Sequence, residues 1–361
     1  MAASVATLSW LKIANFRCLR GTVVEPAPGF NVFSGENASG KTSLLEAIFF
    51  LGRGRSFREH RPENLIREGA DAFEVVARQS GSGRGSTIGV RREQSRTLAR
   101  IGGENAANLA ELARQLPVQV IDPDIHKLIE EGPAYRRRYI DWGVFHVKPG
   151  FLDAWRRYQR ALRQRNAALK NAAGEEAVRL WEPELAECGE AIDQWRGEHL
   201  ESLQPVATGL VEQLLGEGVE LCYRRGWAQD QPLASSLEAH RARDREARVT
   251  GLGPHRANLI IRWCGRLAKQ RVSRGEQKLL GAALVLAQAR LHREQTGRAG
   301  VLLLDDPAAE LDASRLQKLL AAVRELDTQV FITTLQASEI PDLGDARMFH
   351  VKQGEVTPMV Y

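Results

Sequence analysis

The sequence predicts an α/β fold whose main domain is assembled from both ends of the chain, with a mostly helical domain inserted between them. Three observations predict it. Near the N-terminus an apolar strand, "GFNVFSG", runs into the glycine-bearing loop "GENASGKT" (Gly35 to Thr42) and then into an apolar helix, "SLLEAIFFLG". Far downstream a second apolar strand, "GVLLLDD" (Gly300 to Asp306), ends in two carboxylates. Between them the texture changes to long runs rich in Ala, Arg, Glu and Leu with few β-branched clusters. The expected boundaries are 1–125 and 250–361 for the two halves of the α/β domain and 126–249 for the insertion.

The elements follow in order. "LSWLKIANFRCLRGTVV" alternates as strands do, and a Pro-rich turn leads into "GFNVFSG". The helix after the loop has helical apolar spacing and stops at a glycine. "FEVVARQ" and "STIGVRRE" flank "SGSGRG" and predict a hairpin with a flexible tip; "VQVID" (Val118 to Asp122) predicts a further strand. Within the insertion, "FLDAWRRYQRALRQRNAALKNA" is amphipathic, with Phe151, Leu152, Trp155, Tyr158, Leu162 and Leu169 at helical spacing. A second helix is expected from about Glu176 to Leu203, and no heptad pattern is sustained enough for a long coiled coil. "GPHRANLIIRW" marks a return to β character. A helix opened by "SRGEQ" follows, from Glu276 to about Arg293, then "GVLLLDD", "QVFITT" and a strand pair around "MFHVKQGEV".

Composition narrows the function classes. With 361 residues, 43% hydrophobic and 26% charged, the chain reads as a soluble globular protein able to bury a large core. Its apolar runs fall short of the roughly 18 to 20 residues a bilayer needs, and "MAASVATLSW" lacks the basic start of a signal peptide. A cytoplasmic protein is expected, with Cys18, Cys188, Cys222 and Cys264 reduced and metal-free, because none has metal-ligand spacing. The net charge of +5 permits nucleic-acid binding without demanding it. Its excess lies in the two ends, with 16 Lys/Arg against 13 Asp/Glu in 1–125 and 15 against 12 in 251–361.

The motifs carry the chemistry. "GENASGKT" has the form G-x-x-x-x-G-K-[ST], and it sits between an apolar strand and an apolar helix, as a phosphate loop must. Gly35, Glu36, Asn37, Ala38, Ser39, Gly40, Lys41, Thr42 and Ser43 would cradle a triphosphate. Lys41 would reach the β- and γ-phosphates, and the Thr42 hydroxyl would ligate Mg²⁺. Asp305, at the end of the acidic strand, would hold the Mg²⁺ shell through water, and Asp306 would orient the attacking water as general base. Lys41, Asp305 and Asp306 are therefore the expected catalytic residues, with ATP and Mg²⁺ the expected cofactors. No Ser/His/Asp triad and no His cluster competes with this reading; His255 in "GLGPHRANL" is the one histidine set in a distinctive motif.

Several arginines stay open between two readings. Arg53, Arg55, Arg58 and Arg61 in "GRGRSFREHR" either act on phosphate, lining a DNA-facing surface or approaching a partner's phosphate, or form a solvated loop. Arg156, Arg160 and Arg163 share one helix face; a wet face is the ordinary reading and a phosphate-tracking stripe the alternative. Arg136, Arg137 and Arg138 divide the same way.

"SRGEQ" resembles the S-G-G-Q-like signature of ATP-binding cassettes, lying in order between the phosphate loop and the acidic strand. With "LKIANFR", "GENASGKT" and "LLLDD…ELD" it resembles the heads of the structural-maintenance-of-chromosomes class of cassette ATPases. Within that class the chain is similar to the RecF family over essentially its whole length, through "GRGRSFR", "GPAYRRRYIDWGVFH", "GPHRANL" and the Asp305–Asp306 pair. The resemblance implies that Ser273, Arg274, Gly275 and Gln277 bind the nucleotide held by a partner subunit. It also implies that Glu310 and Asp312 lie on the loop crossing the dimer interface. Thr333 and Thr334 stand where many cassettes carry a γ-phosphate-sensing histidine, a departure in residue type. The resemblance further implies an ATP-dependent homodimer that binds duplex DNA and single-strand–duplex junctions and acts with RecR and RecO. Together these promote RecA loading in gap repair and replication restart. Asp306 is one methylene shorter than the Glu usual at that position, so slow, DNA-stimulated hydrolysis acting as a switch is expected. The alternative, a cassette subunit of a transporter, would call for a full S-G-G-Q, a compact helical subdomain and Glu after Asp305. A solo P-loop kinase would leave the signature and the "ELD" loop without a role.

Overall fold

The computed structural model describes residues 7–80, 86–341 and 343–359; the expected hairpin tip, 81–85, lies outside them. The chain forms two compact units, one of residues 1–125 with 274–361 and one of residues 126–273.

The first unit holds two six-stranded sheets. One is antiparallel throughout, in the order Leu19–Val24, Thr7–Phe16, Ala72–Ser80, Thr87–Glu93, Thr97–Ile101 and Glu104–Asn105. The other has the order Glu355–Pro358, Arg347–Lys352, Phe30–Ser34, Gln329–Thr334, Val301–Asp305 and Val118–Ile121. All its pairings are parallel except the terminal hairpin. Val301–Asp305 and Gln329–Thr334 are buried at every residue, which is why they read as unbroken apolar runs rather than alternating ones.

The helix Lys41–Arg53 shares one apolar core with both sheets. Leu44, Leu45, Ile48 and Phe50 cluster with Leu11, Ile13, Phe73 and Val75 of the antiparallel sheet and with Phe33, Leu303 and Phe331 of the parallel one. Buried from Ser43 to Gly52, it is enclosed all round rather than along one stripe, with Glu46 the one charged residue of that span. Gly52 is required by space: a Cβ there would lie 2.4 Å from Val118 Cγ2 and 2.7 Å from the Leu116 carbonyl oxygen.

In the second unit the helices Phe151–Lys170 and Glu182–Leu215 pack together. Two fully buried arginines tie the unit internally. Arg165 meets Glu182 at 2.9 Å and Asp244 at 2.7 Å. Arg196 donates to Asp141 at 2.8 and 2.9 Å and to the Pro254 carbonyl at 2.7 Å. Buried guanidinium groups persist only with such complete pairing.

Two expectations need redrawing. The second long helix begins at Glu182, after a short helix Glu175–Arg179, and runs through Pro205 to Leu215. Its apolar face continues past the proline, burying Ala207, Leu210, Val211 and Leu214; this packing offsets the lost backbone bond. The expected boundary at 250 falls inside the second unit. Strand Asn258–Trp263 of "GPHRANLIIRW" pairs antiparallel with Val219–Arg224, so this unit extends to Ser273.

Candidate functional site: a phosphate loop joined to an acidic strand

Strand Phe30–Ser34 delivers Gly35, and the loop closes at Gly40 before the helix begins at Lys41. Gly35 has no room for a side chain, since a Cβ would lie 2.2 Å from the Val351 carbonyl oxygen. Gly40 has φ 113°, a backbone shape that side chains disfavour, and it caps the helix with no side-chain acceptor. The first helical turn also carries no acid. Its free N–H groups and the positive end of the helix dipole therefore face the loop, the arrangement that receives phosphate. The buried Ser39 hydroxyl also has no hydrogen-bond partner. The loop thus fits a polyanion by its own geometry.

The Lys41 ammonium donates to the carbonyl oxygens of Gly35 at 2.6 Å and Glu36 at 2.8 Å. Burial lowers its pKa, against the opposing fields of Asp306, Asp305 and Glu339. The Thr42 hydroxyl donates to Asp305 Oδ1 at 2.9 Å, and the Thr333 hydroxyl donates to the same oxygen at 2.7 Å. Backbone pairing sets that meeting, because Asp305 registers with Thr333 across two parallel strands. The Asp306 N–H donates to Thr333 Oγ1 at 3.0 Å. Asp306 itself adopts a left-handed conformation, φ 51° and ψ 51°. Burial first, then the adjacent Asp305 charge, raise its pKa, with Lys41 opposing. One carboxylate oxygen is thus shared by the loop, the acidic strand and its neighbour.

Thr42 and Asp305 offer hard oxygen donors, the chemistry that suits Mg²⁺, which takes one or two protein ligands and completes its shell with phosphate and water. Among the described residues there is no cluster of three or more His, Cys, Asp or Glu that would hold a metal by itself.

The family model described as "RecF/RecN/SMC N terminal domain" matches residues 7–357. A DNA replication and repair protein RecF from Thioalkalivibrio sulfidiphilus is 42% identical over 352 residues, covering 96% of this chain and 98% of that protein. The chain belongs to the RecF family. Another RecF, from Vibrio vulnificus, is 39% identical with 97% and 99% covered. A solved structure described as the recombination mediator RecF-ATP in the RecFOR pathway superposes with a TM-score of 0.90 at 26% identity, covering 100% of this chain and 99% of that one. The Smc head domain from Pyrococcus furiosus, with a TM-score of 0.59 at 18% identity, shares the fold. RecF membership over nearly the whole length removes the ground for the transporter-subunit reading. Among the described residues, no helix is long and apolar enough to cross a membrane.

The remaining residues of the RecF pattern sort by location. Ser273 ends the second unit and Arg274 opens the helix Arg274–Thr296 of the first. Gly275 lies against Arg315, and Gln277 is buried. Glu310 pairs with Lys278, while Asp312 caps the helix Ala313–Glu325 by accepting from the Arg315 N–H at 2.9 Å. The Thr334 hydroxyl turns to Glu339 at 2.6 Å rather than to Asp305.

His255 is structural. Its Nδ1 lies 2.6 Å from the Tyr158 hydroxyl and its Nε2 3.1 Å from the Thr250 carbonyl oxygen. Arg136 and Arg137 are spent on the chain itself, donating to the Glu131 carbonyl at 2.6 Å and the Ala257 carbonyl at 2.8 Å. Arg138 lies over the Tyr135 ring. Arg156, Arg160 and Arg163 are exposed along one helix face, as are Arg55, Arg58 and Arg61 in their loop, whereas Arg53 covers the Phe49 ring.

Sequence reasoning missed Glu46. This fully buried acid on the phosphate-loop helix accepts from Arg17 of "LKIANFR" and from Ser56 of "GRGRSFR". The lone charge inside "SLLEAIFFLG" was the available signal.

Proposed function

We propose that this chain is an ATP-operated DNA-binding switch of recombinational repair. It binds ATP with Mg²⁺ at Gly35 to Ser43, dimerises through the signature of a second copy, and resets by slow hydrolysis. The reading rests above all on the shared Asp305 oxygen, which gives a nucleotide held by Lys41 and Thr42 direct mechanical access to two strands of the sheet. Lys41 binds phosphate charge, and Thr42 and Asp305 would hold Mg²⁺, which when bound supplies charge neutralisation for the transferring phosphoryl group. Asp306 holds the water that attacks; its short side chain makes that water hard to position, which suits a timer more than a motor.

Family membership and the RecFOR description of its structural relative support RecR and RecO as partners and RecA loading at single-strand gaps as the outcome. The mildly basic ends of the chain support contact with duplex and junction DNA. A cytoplasmic location follows from this role.

Sedimentation with ATP, with and without gapped DNA, tests the proposal. Wild-type protein should dimerise on ATP. Lys41→Arg should lose productive nucleotide binding or turnover, and Ser273→Arg should bind nucleotide as a monomer. Dimerisation of Ser273→Arg on ATP would overturn the shared-site reading. ATPase activity that is fast without DNA, or insensitive to it, would overturn the switch.

A further inference from the structure

We infer that Arg315, a residue outside every motif above, is a further nucleotide-binding residue of the shared site, presented beside the signature to the ATP of the partner subunit. The inference rests on the dimer reading above.

Its guanidinium is held where a signature residue would act. A Cβ built on Gly275 would lie 2.6 Å from Arg315 Nη1, so the guanidinium occupies the space a side chain would take. Glycine at position 275 therefore admits Arg315 to the first turn of the helix Arg274–Thr296. Asp312 fixes the other end of the arrangement. Its carboxylate caps the helix Ala313–Glu325 through the Arg315 N–H, and its second oxygen lies 3.5 Å from Arg315 Nε, a loose contact. The Arg315 side chain remains 38% exposed. An arginine carries five donors in a planar fork, so such a loose contact leaves capacity for bidentate phosphate recognition.

The charge placement also asks for an anion. Arg274 and Arg315 sit at the N-terminal turn of a long helix, the positive end of its dipole, where cations destabilise, with Glu276 the acid of that turn. Lys278, one turn on, is paired to Glu310, and both burial and Arg274 lower its pKa. A partner's triphosphate would convert this repulsion into attraction and engage an arginine that the loop after Asp306 carries into place. The same segment would then report the state of its own Asp305 to the other nucleotide.

ATP-dependent dimerisation of Arg315→Ala, Arg315→Lys and Gly275→Ala, read by sedimentation, tests this. A symmetric dimer has two shared sites, and losing a charge-assisted contact of about tenfold at each weakens dimerisation about a hundredfold. Arg315→Lys should recover at least about a tenth of the wild-type affinity. Gly275→Ala should weaken dimerisation too, and adding Arg315→Ala to it should cost little more. Binding of a fluorescent ATP analogue to the monomer should be unchanged in all three. If Arg315→Ala dimerises as wild type while Ser273→Arg stays monomeric, the inference fails and the dimer reading stands. If Ser273→Arg dimerises, the dimer reading itself fails. If Arg315→Ala loses nucleotide binding as a monomer, Arg315 serves its own nucleotide and the inference is overturned.

Discussion

Thr333 and Asp305 face each other across two parallel strands, and the Thr333 hydroxyl binds both acidic residues, donating to Asp305 Oδ1 at 2.7 Å and accepting from the Asp306 N–H at 3.0 Å. Where many cassettes would set a histidine to read the γ-phosphate, this chain sets a fully buried hydroxyl that holds the two aspartates in place. Its contacts orient the Asp305 carboxylate and pin the Asp306 backbone.

Thr333→Val tests that role at nearly constant volume. It removes the hydroxyl, leaving the Asp306 N–H and one side of Asp305 short of a partner in a buried site. A loss of about 1–3 kcal/mol in folding stability is expected, measured by urea denaturation. Single-turnover hydrolysis should fall further than nucleotide affinity, because the phosphate loop is untouched. An equal fall in both would mean that Thr333 acts on binding.

Asp306 is strained and poorly partnered before any chemistry begins. It has a left-handed backbone, a buried Oδ1 without a hydrogen bond, and the Asp305 charge beside it. Asp306→Asn should therefore stabilise the nucleotide-free protein by about 0.5–2 kcal/mol at neutral pH, while removing hydrolysis and preserving ATP-dependent dimerisation. The pH dependence has a definite sign. With its folded pKa raised, native Asp306 holds its proton to higher pH than the unfolded chain does, so its contribution to stability falls as pH rises through that interval. Hydrolysis runs the opposite way, lost on acidification as the base protonates at a higher pH than an ordinary aspartate. Denaturation midpoints and single-turnover rates across pH 4 to 8 (roughly the span between ordinary Asp and neutral conditions) would separate the two.

Glu46 joins three segments that the sequence scatters. Fully buried on the phosphate-loop helix, it accepts from Arg17 Nη2 at 2.9 Å, from Arg17 Nε and from Ser56. The hydrogen bond to Glu46 raises the Arg17 pKa. Glu46→Ala strands a partly buried guanidinium, and a loss of about 3–5 kcal/mol is expected. Glu46→Gln keeps the shape and some of the bonds and should lose less than half of that. Thermal unfolding of both variants measures it. Comparable losses would mean that the carboxylate charge, which both variants remove, rather than the shape that Gln keeps, is what Glu46 contributes.

What the sequence revealed, and what it hid, follows from the range of each interaction. "GENASGKT" and its flanking strand and helix were legible because the whole device is contiguous: glycines, lysine and hydroxyl stand at fixed offsets on one turn. The Thr333–Asp305 contact was not, since it depends on which strand lies beside Val301–Asp305, and apolar runs do not encode their neighbours. The same gap misplaced the boundary near 250. "NLIIRW" announces a strand, but only its pairing with Val219–Arg224 assigns it to the second unit. Arg136 and Arg137 looked like a basic cluster because sequence cannot distinguish a guanidinium bound to carbonyl oxygens from one facing solvent.

The Tyr158–His255 pair carries the last prediction, which concerns the second unit alone. The Thr250 carbonyl can only accept, so His255 Nε2 carries the proton and Nδ1 accepts from the Tyr158 hydroxyl. Burial holds the imidazole neutral, with its pKa down at about 4, and raises the Tyr158 pKa. Because the folded pKa lies below the ordinary 6.5, the unfolded chain takes up a proton first on acidification. The pair's contribution to stability is therefore present above about pH 6.5 and declines as pH falls toward 4. Gly253 belongs to the same construction, since a Cβ there would lie 2.3 Å from the Tyr158 hydroxyl oxygen. Tyr158→Phe leaves Nδ1 without its donor and should destabilise by about 1–3 kcal/mol at pH 7.5. His255→Leu should flatten the acid side of the stability profile while leaving ATP binding at Lys41 unchanged. Denaturant titrations at pH 7.5, 6 and 5 on the full chain provide the measurement. A wild-type acid slope in His255→Leu would show that some other group sets it.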